Sequence, residues 1–200
     1  MANHNEIRLD RAGRLITDHA MVWVRYLPAS IERVWPIVST KSGLARWWIV
    51  PPRVFDLRVG GAFEHHWDNT IASFDEPHYI DFDEPAGAYR GTGGMRFELS
   101  ARRNGDTTFT FLGTWGPSVL STELATGTSS AVDTQLAGPG TPWPGVAAGW
   151  HGMVDRLERQ FCDDVPSHSH QDLEDFYIGY LEDQFRWFDM VQRLPKEVST

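Results

Sequence analysis

The chain has 200 residues, enough for one domain with a sizeable core. Acidic residues outnumber basic ones by 27 to 18, giving a net charge of −9, and Lys and Arg never run beyond a pair. That balance repels polyanions, which excludes nucleic acid as a partner and disfavours anionic membrane surfaces.

No apolar run approaches the ~20 residues that span a bilayer, so no membrane insertion is expected. The opening MANHNEIRLDRAGR lacks the apolar centre of a signal peptide. A lone cysteine, Cys162, has no internal partner for a disulfide and fits a reducing compartment. The expected setting is cytoplasmic. Nine tryptophans within a 12% aromatic share point to an aromatic core, a lined cavity or an interface.

In chain order, residues 1–18 read as a polar tail. His19–Leu27 (HAMVWVRYL) is rich in β-branched and aromatic residues and predicts a strand. Ser30 is placed to cap a helix over IERVWPIV, with Ile31, Val34 and Trp35 on one face. A second short helix is expected over Ser42–Trp48, stopped by Pro51-Pro52. An antiparallel meander follows. Val54–Val59 is expected to pair with Ala62–Trp67 across Gly60-Gly61, whose glycines supply the positive φ of a tight turn. Thr70–Phe74 and His78–Phe82 flank Asp75-Glu76-Pro77. Met95–Arg102 and Thr107–Trp115 flank a turn containing Asn104-Gly105, a strong hairpin signal.

Residues 116–144 are rich in Gly, Pro, Ser and Thr and carry two charges, Glu123 and Asp133. A loop of that length in a compact domain is usually functional or disordered. Its low charge and Trp143 suggest a lid over an opening, the alternative being an ordered surface loop. Gly145–Phe161 then predicts a helix, with Val146, Trp150, Met153, Leu157 and Phe161 at helical spacing. A polar hinge leads to a last helix over about Asp172–Arg193. Its apolar residues, from Leu173 and Tyr177 to Trp187, Phe188 and Val191, span an arc wider than one buried face needs. That helix lies either in a groove of its own domain or also against a second subunit, as in a homodimer.

The order of elements is that of the helix-grip fold. RYLPASIERVWPIVSTKSGLARWW, FDLRVGGAF, FDEPHYIDF, GGMRFELSARRNGDTTFTF and AAGWHGMVDRLERQF resemble successive blocks of the SRPBCC superfamily. They are most similar to the branch named for the activator of a heat-shock protein's ATPase. The resemblance covers about residues 19–115 and 145–161. It implies an α+β helix-grip domain over 19–161, with a curved antiparallel sheet of about seven strands around a long helix and a cavity between them. The loop 116–144 and the segment 162–200, with its extra terminal helix, depart from the family pattern. The superfamily includes lipid carriers, hormone receptors, polyketide cyclases and some hydrolases, so the resemblance implies a hydrophobic-ligand cavity but no single activity.

Strand alternation assigns the walls of that cavity. Phe63, His65 and Trp67 share one face of their strand, with Glu64 and His66 on the other. The same counting turns Ile80 and Phe82, Met95, Phe97 and Leu99, and Phe109, Phe111 and Trp115 inward, with Trp150 and Met153 opposite. The candidate ligand-binding set is therefore Trp48, Phe63, His65, Trp67, Phe82, Phe97, Phe111, Trp115, Trp150 and Met153. These are apolar walls with one imidazole to orient a guest.

His65 is also the candidate acid–base residue, with His151, Glu64 or Asp81 as helpers if the pleat were shifted by one. No metal site and no cofactor are expected. His65 and His66 point opposite ways, and His168 and His170 lie in a polar hinge. Gly91-Thr92-Gly93-Gly94 precedes a strand, not the helix N-terminus that a phosphate loop needs. Arg46 reads as a solvated helix-face residue and Cys162 as an idle thiol.

The leading expectation is a protein that binds a small apolar, aromatic or polycyclic molecule. The alternatives are an enzyme using the same cavity for cyclisation, dehydration or hydrolysis, and a protein-interaction or stress-response module. Binding is favoured over catalysis.

Overall fold

The computed structural model describes residues 7–17, 20–65, 68–83, 94–114 and 144–192, with side chains through residue 184 in the last segment. Eight strands form one antiparallel sheet: β1 (Arg14–Thr17), β2 (Ala20–Leu27), β3 (Val54–Phe55), β4 (Ala62–Glu64), β5 (Asp68–Asp75), β6 (Tyr79–Asp83), β7 (Met95–Ala101) and β8 (Thr107–Thr114). Their spatial order is β1-β2-β8-β7-β6-β5-β4-β3. The run from β3 to β8 is thus a meander, and β8 returns to pair with β2. Helices α1 (Ile31–Ser39) and α2 (Lys41–Leu44) sit between β2 and β3, and α3 (Pro144–Glu158) and α4 (His170–Gln192) follow β8. The α+β helix-grip architecture is the observed one: an open, curved antiparallel sheet with α3 packed on its inner face.

Alternation builds the inner face. In β8, Thr107, Phe109, Phe111 and Gly113 are buried while the residues between them are half-exposed. The pairs Trp23↔Phe111, Phe97↔Phe111, Leu99↔Phe109 and Ile80↔Phe97 stack this face across β2, β8, β7 and β6. Cross-strand aromatic and branched pairs of this kind stabilise a sheet by up to ~1 kcal/mol each beyond burial. From α3, Trp150, Met153, Val154 and Leu157 close the core. Gly113 is what lets the Trp150 ring lie on β8, since any Cβ there would overlap it.

Several expectations are corrected. The sheet has eight strands where about seven were expected, because residues 14–17 pair with β2 instead of forming a polar tail. The strand expected over Val54–Val59 shrinks to two residues. Asp56–Gly61 form a wide turn in which Gly60 takes φ +76° and Gly61 donates to the Arg58 carbonyl at 2.7 Å. Helix α2 ends at Leu44, so Trp47 and Trp48 lie in the turn after it, their N–H groups reaching the Leu44 carbonyl. Its cap is Thr40, whose hydroxyl accepts from Gly43 N at 3.0 Å. Ser30 occupies the N-cap of α1 without a side-chain capping bond. Helix α4 starts at His170, two residues before the expected start. The lid reading concerned residues 116–144, of which all but Pro144 lie outside the described residues.

The apolar arc of α4 is partly accounted for. Leu173, Tyr177 and Leu181 are buried within the chain, and Phe176 and Tyr180 pack against the same cluster. The expectation for Trp187, Phe188 and Val191 falls on side chains outside the described set. Among the described residues, no helix is long and apolar enough to cross a membrane.

Candidate functional site

The aromatic residues singled out from alternation converge on the inner face. Trp48 stands edge-on to Phe63 at 5.2 Å between ring centroids and to His65 at 5.2 Å. Phe63 meets Phe82 at 5.0 Å, Phe82 meets Phe97 at 4.7 Å, and Phe97 meets Phe111 at 5.8 Å. Phe111 and Trp150 complete the series at 5.4 Å. Met153 is fully buried beside them. Trp67 and Trp115 lie outside the described residues. Trp47, which the sequence reading left out, belongs to this wall through Phe97 and Phe109. Rings at these separations and tilts place a positive edge against a negative face, worth ~0.5–1.5 kcal/mol per pair beyond burial.

His65 sits at one end of the wall and is 5% exposed. Its Nε2 lies 3.2 Å from Asn69 Oδ1, while Asn69 Nδ2 points to the Asp83 carbonyl at 3.4 Å. An amide whose nitrogen donates to a carbonyl presents its oxygen on the other side, so His65 Nε2 carries the proton and donates it to Asn69. The pleat is not shifted: Phe63 and His65 are buried and Glu64 is half-buried. Asp81 is held by Ser73 Oγ at 2.7 Å and by Arg96 Nη1 at 3.0 Å, away from His65.

His151 is occupied elsewhere. The Tyr177 hydroxyl receives Gly13 N at 2.8 Å and Trp23 Nε1 at 3.0 Å, which uses both lone pairs of its oxygen. Its own proton therefore goes to His151 Nδ1, 3.0 Å away. Nδ1 accepts, so Nε2 bears the imidazole hydrogen and faces Asp155 Oδ2 at 3.3 Å. Asp155 Oδ1 also accepts from Arg25 Nη2 at 2.8 Å and Arg11 Nη2 at 3.0 Å. Glu158 completes the cluster, 3.2 Å from Arg25 Nε and 2.5 Å from Arg11 Nη2. Two guanidiniums thus meet two carboxylates in a setting where Arg25, His151 and Asp155 are almost wholly buried.

The titration of these groups follows from that geometry. Burial pushes His151 below its ordinary value, and Arg25 and Arg11 push the same way against the pull of Asp155. For Asp155, burial acts upward, but the His151 hydrogen bond and the charges of Arg25 and Arg11 hold it well below the usual carboxylate range. Burial raises Tyr177 above its usual value. His151 is accordingly a neutral, saturated connector between α4 and the charge cluster.

The sequence reading missed this network. Its signal was available: Arg25 has the inward parity of Met21, Trp23 and Leu27 in β2, and His151, Asp155 and Glu158 recur at helical spacing.

The remaining candidates are chemically quiet. Arg46 is exposed. Cys162 is half-buried and its thiol is pushed up by burial and by the neighbouring Glu158 charge, which keeps it protonated. Among the described residues no group of three His, Cys, Asp or Glu side chains is placed to hold a metal ion. His66 and most of Gly91–Gly94 lie outside the described residues.

A model of the family described as Activator of Hsp90 ATPase homolog 1-like protein matches residues 28–161. The chain belongs to this family. The Activator of Hsp90 ATPase homolog 1-like match stops at Phe161, so the hinge and α4 lie beyond it. The five blocks quoted above fall in or overlap that range, and the SRPBCC-type resemblance is borne out.

Solved structures agree on the fold. A conserved protein of unknown function from Enterococcus faecalis superposes with a TM-score of 0.60 at 16% identity, over 86% of this chain and 91% of that one. CalU16 from Micromonospora echinospora gives 0.56 at 16%, over 86% and 94%. DynU16, described as a putative protein in the dynemicin biosynthetic locus, gives 0.50 at 17%, over 77% of this chain and 51% of its own. At such identities the likeness is one of fold. No protein of curated function matches the sequence.

Proposed function

We propose that this protein binds a small apolar molecule, aromatic or polycyclic, against the inner face of its sheet. The observation that carries the reading is the buried His65–Asn69 pair at the end of a wall made of Trp48, Phe63, Phe82 and Phe97. A mostly apolar surface with one oriented polar group is the composition of a small-molecule site. Phe82, Phe97 and Phe111 already fill the middle of the face against one another, so the guest is expected beside them, where Trp48 and His65 stand.

The protein's tryptophan fluorescence, titrated with a neutral aromatic such as 2-naphthol, tests the reading. Saturable quenching is expected, weakened about tenfold or more by Trp48→Ala, equivalent to ~1.4 kcal/mol. Absence of saturable quenching in the folded protein would remove the proposal.

A second reading, turnover of the bound molecule by cyclisation, dehydration or hydrolysis, is favoured by one feature. The His65 tautomer is fixed by Asn69, as an acid–base imidazole requires. Under that reading His65→Ala leaves quenching in place and lowers turnover by ~10²–10⁴.

A further inference from the structure

Helix α3 has a third face, turned neither to the sheet nor to the charge cluster, and a cleft of about 620 Å³ lies against it. Its floor is backbone: Gly145, Gly149 and Gly152 fall on one side of the helix. Ile49 and Leu173 form apolar walls, their methyls 3.3 and 3.5 Å from where a Cβ on Gly149 or Gly152 would stand. The hinge and the start of α4 close one end with Ser167, His168 and His170.

The polar end of the cleft is cationic. Arg156 and Arg159 both line it. Arg159 spends one N–H on the Pro166 carbonyl, at 2.8 Å. Arg156 Nε is shielded from water and has no hydrogen-bond partner among the described residues. Among the described residues neither arginine forms an ion pair, although acidic residues outnumber basic ones across the chain. Of the carboxylates at the cleft, Asp155 is already taken by Arg25, Arg11 and His151, and Glu174 lies over Gly145 with His170 as its partner at 4.0 Å. Burial and the Arg159 charge lower the Arg156 value, as expected of two cations held side by side without an anion. A guanidinium has five N–H donors in a planar fork, and an unanswered donor removed from water is costly. A carboxylate supplies the matching pair of acceptors.

We propose that this cleft is a second binding site, for an organic monocarboxylate with a flat apolar body. The carboxylate sits on Arg156 and Arg159 and the body lies on the glycine floor between Ile49 and Leu173. Its occupant differs in charge from the guest proposed for the inner face, and four of its lining residues, Ser167, His168, His170 and Leu173, come from the segment beyond the matched family range.

Isothermal titration calorimetry on the full chain tests this, with 1-naphthoate as the probe and naphthalene-1-methanol as its uncharged counterpart. With the inner face saturated by 2-naphthol, the wild type is expected to bind naphthoate one to one and the alcohol at least ~10-fold more weakly. Arg156→Gln and Arg159→Gln should each weaken naphthoate by ~10-fold or more and leave the alcohol unchanged. Trp48→Ala should leave naphthoate affinity unchanged. Inorganic phosphate at the probe's concentration should leave the isotherm intact.

The proposal is overturned if the folded wild type fails to bind naphthoate, if it binds the alcohol equally well, or if both arginine variants retain full affinity. Loss on Trp48→Ala would place the probe on the inner face, and displacement by phosphate would reduce the site to bare charge; either result also overturns it. Should an arginine variant fail to fold, the wild-type comparison of acid and alcohol decides.

Discussion

Two flanks of α3 are built from opposite materials. One carries Trp150, Met153, Val154 and Leu157 into a bed of rings from β2, β7 and β8. The other carries His151, Asp155 and Glu158 into a closed set of hydrogen bonds and ion pairs with Arg11, Arg25 and Tyr177. The apolar flank is held by non-directional burial, so it tolerates changes of shape that conserve volume. The polar flank is directional, and each of its groups depends on a named partner for the cost of leaving water. Adaptable contact therefore belongs to the ring face, where a guest is proposed, and fixed geometry to the face that carries α4.

The sharpest way to break this contrast is Asp155→Ala. It leaves Arg25, which is 2% exposed, with Glu158 as its one remaining carboxylate among the described residues, and that carboxylate is shared with Arg11. The expected loss is ~3–5 kcal/mol of unfolding free energy in urea, the usual cost of removing one member of a buried pair. A loss under ~1 kcal/mol would show that water reaches the cluster and that the two flanks differ less than described.

Acid gives the next effect. His151 is kept neutral in the folded chain, with its value depressed, while the unfolded chain takes up a proton below ~6.5. The unfolded state then holds the extra proton, so this group's contribution is intact above that pH. It is lost at up to ~1.4 kcal/mol per pH unit as pH falls toward the folded value. The depressed Asp155 adds a separate loss only below ~4, where the unfolded carboxyl protonates. Melting curves from pH 7.5 to 5 should show the first decline, and His151→Gln should flatten it.

The smallest effect is expected on the other flank. Met153 is fully buried, yet Met153→Leu should cost less than ~1.5 kcal/mol, because the volume is kept and no polar partner is lost. A larger cost, read from the same urea curves, would mean that the ring face is as rigidly specified as the polar one.

What was legible in the sequence follows the same division. Period-two alternation located Phe63, Phe82, Phe97, Phe109 and Phe111 on one face because burial writes itself into hydrophobicity at every second residue. The inward arginine of β2 broke the apolar pattern and was passed over. Recognising it requires knowing that residues 130 positions later bring a carboxylate to it. Strand β1 was hidden for a related reason. Its residues, Arg-Leu-Ile-Thr, are a weak strand signal alone, and their pairing with β2 is completed from outside by α4, through Gln184 Oε1 accepting from Leu15 N at 2.9 Å. The Gly145/Gly149/Gly152 floor was equally silent, since glycines inside a helical pattern carry no periodic mark of their own.

The bond from Gly13 N to the Tyr177 hydroxyl joins positions 164 residues apart. A ribosome makes the first of these long before the second, so the earliest strand must wait, with one flank bare, for the last helix to emerge. Until then Trp23 has neither its phenol partner nor its cover, and the nascent chain offers the quality-control machinery of its host an indole that the finished molecule hides completely.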